Sequence, residues 1–89
     1  MENEFTWEKK TEEDFSKMIE KVPGPMKNIA KDQVLKKLKN QLIENNKSIV
    51  EEKELIDAFF EATPFGFHGP MKCDMEEIGL DYTKYGYER

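Results

Sequence analysis

The sequence predicts a small all-α domain, and three observations carry that prediction. Apolar residues recur at helical spacing in three stretches: Phe15, Met18, Ile19 and Val22; then Met26, Ala30, Val34, Leu38 and Leu42; then Leu55, Ile56, Phe59 and Phe60. Prolines punctuate those stretches at Pro23, Pro25 and Pro64. Acidic runs, Glu12-Glu13-Asp14 and Glu51-Glu52 with Glu54, stand where the positive end of a helix dipole favours negative charge. The expected architecture is three helices with a long central one, followed by a short C-terminal helical turn and an irregular tail.

Taken in order, Phe5 and Trp7 suggest a short arm that docks its rings on the core. Thr11 and Asp14 have the spacing of a capping box, so the first helix is expected to start there and to end at Val22, whose helical geometry Pro23 disfavours. Gly24 frees the turn, and Pro25 suits the first position of a second helix, where a missing N–H is no loss. That helix carries an i+4 row from Met26 to Leu42, which drifts around the axis because four residues overshoot one turn of 3.6. Ile29 and Leu35 widen the row. Asn45, Asn46 and Lys47 are expected to stop the helix, since asparagine tolerates left-handed backbone. Ser48, Ile49 and Val50 read as a short β-prone step before the third helix, which ends at Thr63-Pro64. The expected core is Phe15, Met18, Ile19, Val22, Met26, Ile29, Ala30, Val34, Leu38, Leu42, Ile49, Leu55, Ile56, Phe59 and Phe60.

From residue 64 the chain is rich in glycine, proline and aromatics, which divides it into a helical domain over 1–63 and a linker-like segment over 64–89. Within that segment Asp74, Met75, Glu77 and Ile78 support one helical turn before Gly79. Neither an internal repeat nor a low-complexity tract is apparent. At 89 residues the chain has room for a single core. Apolar and charged residues each make up 37% of it, so long solvated faces are expected.

The net charge of −5 argues against general affinity for nucleic acid, but the charge is unevenly spread. Residues 22–47 hold six lysines against Asp32 and Glu44, whereas every flanking segment is acidic. Cys73 is the sole cysteine, which rules out an intramolecular disulfide and makes a reducing, cytoplasmic setting the expectation. No apolar run reaches the length of a membrane span, and the N-terminus lacks the pattern of a secretion signal.

Trp7, the helix closing on Val22-Pro23, Lys27 and Lys31 around Ala30, and the Ile49 step before an acidic helix with Ala58 form a combination that resembles a known family. It is similar to the small C-terminal helical domain of the B subunit of light-independent protochlorophyllide reductase, over roughly Trp7 to Ala62. Pro25, Lys27, Leu35 and Val50 stand where that family usually carries an aromatic, an arginine, a glutamate and a threonine. The resemblance implies a shared helical framework and an accessory place beside a redox enzyme. It does not imply reductase activity, because the reductase's cluster ligands lie outside this domain. The order of short helix, long helix, β-like step and helix also resembles half of a histone fold.

Candidate chemistry is sparse. His68 and Cys73, five apart with Asp74 adjacent, could contribute to a metal or redox site, although a closed zinc site needs four ligands, which a symmetric dimer could supply. No third group nominates a Cys–His nucleophile. Lys27 and Lys31, with Phe65 and Phe67, are candidate partner-binding residues. Lys36, Lys37 and Lys39 add basic charge without arginine, which leaves a histone-like DNA binder as a rival reading. The expectation is a non-catalytic accessory or protein-interaction module, bound to a protein partner or a second copy, with no cofactor. A metal- or redox-linked protein using His68 and Cys73 is the alternative.

Overall fold

The computed structural model describes residues 6–89 and is predominantly helical. The order is β1 (Thr6–Trp7), α1 (Lys9–Glu20), a 3₁₀ turn (Gly24–Met26), α2 (Lys27–Glu44), β2 (Ile49–Val50), α3 (Glu52–Ala62), a second 3₁₀ turn (Phe65–Phe67), α4 (His68–Ile78) and a third 3₁₀ turn (Tyr82–Tyr85). The two short strands pair in parallel, Thr6 opposite Ile49 and Trp7 opposite Val50. Phe5, expected to dock beside Trp7, lies outside the described residues. Trp7 packs its ring 5.1 Å from that of Phe15.

The chain uses one unit twice. Glu8 and Glu51 each hold extended backbone immediately before a helix. Each following helix carries an i,i+4 ion pair at the same point, Lys10–Asp14 at 3.0 Å and Lys53–Asp57 at 2.8 Å. Pro23 and Pro64 have nearly the same backbone angles, and each opens a 3₁₀ turn closed by a 2.9 Å bond, from Met26 N–H to the Pro23 carbonyl and from Phe67 N–H to the Pro64 carbonyl. The second helix of each unit then ends on a left-handed residue, Asn46 at φ 55° and Gly79 at φ 88°. In both cases the next N–H reaches back to a carbonyl of the last turn at 2.9 Å, Lys47 to Leu42 and Leu80 to Met75, which is the Schellman closure. A strand–helix–turn–helix repeat is therefore present in form, although few residues are shared between its copies.

The core contains Phe15, Met18, Val34, Leu38, Leu42, Leu55, Ile56, Phe59 and Phe60, all expected from helical spacing. Met26, Ile29 and Ile49 are exposed instead, at 50%, 53% and 37%. Met26 closes the 3₁₀ turn before α2 and Ile29 lies in the first turn of α2, and both face solvent. Ile49 yields its place to Val50, because neighbouring strand residues face opposite ways. Ile19, Val22 and Ala30 are half-buried.

Two further differences concern helix ends. Helix α1 starts at Lys9, and Glu8 occupies the capping position, with the Thr11 hydroxyl donating to its carboxylate at 2.6 Å. The segment after residue 64 forms the full helix α4, which tolerates Gly69-Pro70 because the first-turn N–H groups have no intrahelical partner. It adds Met71, Met75, Leu80 and Tyr82 to the core, so the tail completes the fold.

Candidate interaction surface

The residues singled out from sequence fall at separate places. His68 is the first residue of α4 and half-buried. Its Nε2 lies 2.9 Å from the Thr63 carbonyl and 3.2 Å from the Phe60 carbonyl. Both neighbours are acceptors, so Nε2 carries a hydrogen and donates to the C-terminal carbonyls of α3. Lys27 does the same one unit earlier: it opens α2, and its Nζ donates to the Glu20 carbonyl at 3.0 Å. In each unit the first side chain of the second helix caps the end of the first.

Cys73 is exposed. Five residues of helix turn it about 140° from His68, so the two do not converge on one point. Among the described residues no group of three or more His, Cys, Asp or Glu is placed to hold a metal ion. A shallow cleft of about 250 Å³ lies at the end of α4, lined by Glu76, Gly79, Leu80, Asp81, Tyr82 and Arg89. Its polar groups are engaged with one another: Glu76 accepts from Tyr82 Oη at 2.5 Å and from Arg89 at 3.1 Å, and Asp81 accepts from Thr83.

Aromatic contacts organise the C-terminal side. Phe60 meets His68 edge-on at 5.1 Å and stacks with Tyr87 at 3.9 Å, while Phe65 lies 5.5 Å from His68. Four rings thus form a series from Tyr87 through Phe60 and His68 to Phe65. The outer end of that series is in water, because Phe65 is 87% exposed and Phe67, in the same 3₁₀ turn, 64% exposed. Tyr85 and Tyr87 donate to Glu52 at 2.8 Å and Asp57 at 2.5 Å, which fastens the last residues to α3. Burial, reinforced by the Glu52 carboxylate, pushes the Tyr85 hydroxyl up to about 12. Burial and Asp57 raise Tyr87 in the same way.

Ion pairing separates the lysines into two groups. Lys21 reaches Glu77 at 2.5 Å and so ties α1 to α4, and Lys47 reaches Glu51 and the nearly buried Glu54 at 3.2 and 2.8 Å. Among the described residues Lys31, Lys36 and Lys37 on α2 make no ion pair. Lys36 shares the solvent-facing side of α2 with Ile29 and with Ile43, which is 69% exposed. Ile43 stands two heptads beyond Ile29, a spacing legible in the sequence that places both on one face of α2.

The fold and these surfaces define a small helical protein whose notable exposed groups are apolar and basic. The chain belongs to the DUF2621 family, a protein family of unknown function, which matches residues 2–88. No curated protein and no solved structure matches it. No helix among the described residues is long and apolar enough to cross a membrane.

Proposed function

We propose that this chain is a non-catalytic protein-interaction module, accessory to a redox enzyme. The observation that carries the reading is the set of large apolar side chains left in water: Met26, Ile29, Ile43, Ile49, Phe65 and Phe67, with Phe65 at 87%. Scattered exposed apolar residues are ordinary, but two phenylalanines on one short 3₁₀ turn present a wedge that burial in a partner would satisfy. The redox association rests on the resemblance of Trp7, Val22-Pro23, Lys27, Lys31 and Ile49 to the reductase domain.

Affinity capture with the full chain from its native host tests the proposal. The expected result is one protein retained in stoichiometric amount, carrying the visible absorbance of a flavin, haem or iron–sulfur centre. Retention of nothing beyond a charge-matched helical control overturns the module reading. A stoichiometric partner without a redox centre overturns the accessory role alone.

A further inference from the structure

We propose that the solvent-facing stripe of α2 receives an acidic amphipathic helix from a protein partner. The inference deepens the module reading above and rests on it. At 3.6 residues per turn, Ile29, Gln33, Lys36, Asn40 and Ile43 share one face of α2, opposite the buried Val34, Leu38 and Leu42. Every residue of that stripe is exposed, and Met26 extends it at the preceding turn. Ile29 and Ile43 stand about 21 Å apart at 1.5 Å per residue, the length of a four-turn helix.

Charge selects the occupant. Lys36 lies midway between the two isoleucines, with Lys37 beside it, and neither makes an ion pair among the described residues. From Met26 to Ile43 the only acid is Asp32, on the flank of the stripe; Glu44 lies beyond its end. The chain carries a net charge of −5, yet among the described residues the paired carboxylates reach Lys10, Lys21, Lys47, Lys53 and Arg89, and none pairs with Lys36 or Lys37. Two apolar anchors spaced along a helix and separated by unpaired cations are complementary to a helix with an apolar seam and carboxylates beside it. A phosphate backbone would use the lysines alone and gain nothing from Ile29 or Ile43.

The test titrates the full-length, isotope-labelled protein with two synthetic helices that share a leucine seam, one flanked by glutamates and the other by lysines. The glutamate peptide is expected to shift the backbone amide signals of Ile29, Lys36 and Ile43, and the lysine peptide to leave them in place. Ile29→Ser with Ile43→Ser should weaken binding about tenfold or more, as should Lys36→Glu with Lys37→Glu. All four positions face water or lie at its edge, and circular dichroism checks that the variants remain folded. Binding that maps to Phe65 and Phe67 overturns this inference while leaving the module reading intact. So does a partner captured equally well by the Ile29→Ser, Ile43→Ser variant. Absence of saturable binding by the glutamate peptide overturns the inference, as does a DNA duplex that binds the lysines and ignores the isoleucine changes.

Discussion

The Tyr87 ring lies 3.9 Å from that of Phe60 and 6° from parallel, while its hydroxyl donates to Asp57 at 2.5 Å. One side chain near the end of the chain thus holds α3 by both its face and its tip. Tyr87→Phe keeps the stack and removes the hydrogen bond, and should lower stability by about 0.5–1.5 kcal/mol. Tyr87→Ala should lose a further 0.5–1.5 kcal/mol or so from the ring pair. Urea denaturation of both variants separates the contributions; equal losses would show that the stack adds nothing.

The same tyrosines give the fold an alkaline limit. The hydroxyls of Tyr82, Tyr85 and Tyr87 all titrate above their ordinary value, Tyr85 at about 12. A group whose folded value is raised contributes stability that is complete below its unfolded value, near pH 10, and is lost as pH rises through the folded value. Stability should therefore be flat in this respect up to about pH 10 and fall between about 10 and 12. Absorbance at the phenolate band should rise with unfolding, and a tyrosine ionising near its ordinary value in folded protein would contradict the contacts described.

Burial distinguishes residues that helical spacing alone treats alike. Phe59 is 4% exposed, and Phe59→Ala should cost about 3–5 kcal/mol. Ile29, expected in the core but 53% exposed, should tolerate Ile29→Ala within about 0.5 kcal/mol. Thermal unfolding of the pair is decisive, and comparable losses would return Ile29 to the core.

Two glycines should respond to alanine very differently. Gly79 holds φ 88°, which closes α4, and no heavy atom lies within 4 Å of an added Cβ, so Gly79→Ala should lose about 1–2 kcal/mol through backbone strain alone. Gly69 is the second residue of α4 and directly precedes Pro70; there the helix propensity of alanine is opposed by the clash of a Cβ with the following proline ring, so Gly69→Ala should stay within about 0.5 kcal/mol. Chemical denaturation midpoints measure both directly, and a loss at Gly69 equal to that at Gly79 would contradict the difference.

The first three helices were legible because their apolar periods and proline stops agree. Helix α4 was hidden by Gly66, Gly69 and Pro70, which read as breakers yet occupy a 3₁₀ turn and a first helical turn, where they do little harm. The signal that could have found it was Met71 and Met75 four apart, followed by Gly79 and the apolar Leu80. The exchange of Ile49 for Val50 in the core was not legible, since nothing in a two-residue strand fixes which side faces inward. The repeat is not legible in the sequence because it lies in caps and turn angles, where Glu8 and Glu51 or Lys27 and His68 play equal parts with little shared sequence. On the surface, the sequence placed Phe65 and Phe67 and the basic charge of α2. The exposure of Ile43 depended on which face of the helix the other helices cover.

The parallel pairing of Thr6 with Ile49 and Trp7 with Val50 also sets an order of events during synthesis. Strand β1 leaves the ribosome first, but its partner does not exist until Val50 has been made. Until then the N-terminal half carries β1 without the strand it pairs with. The chain is thus tied at its beginning by its own middle, and the first copy of the unit cannot finish folding before the second has begun.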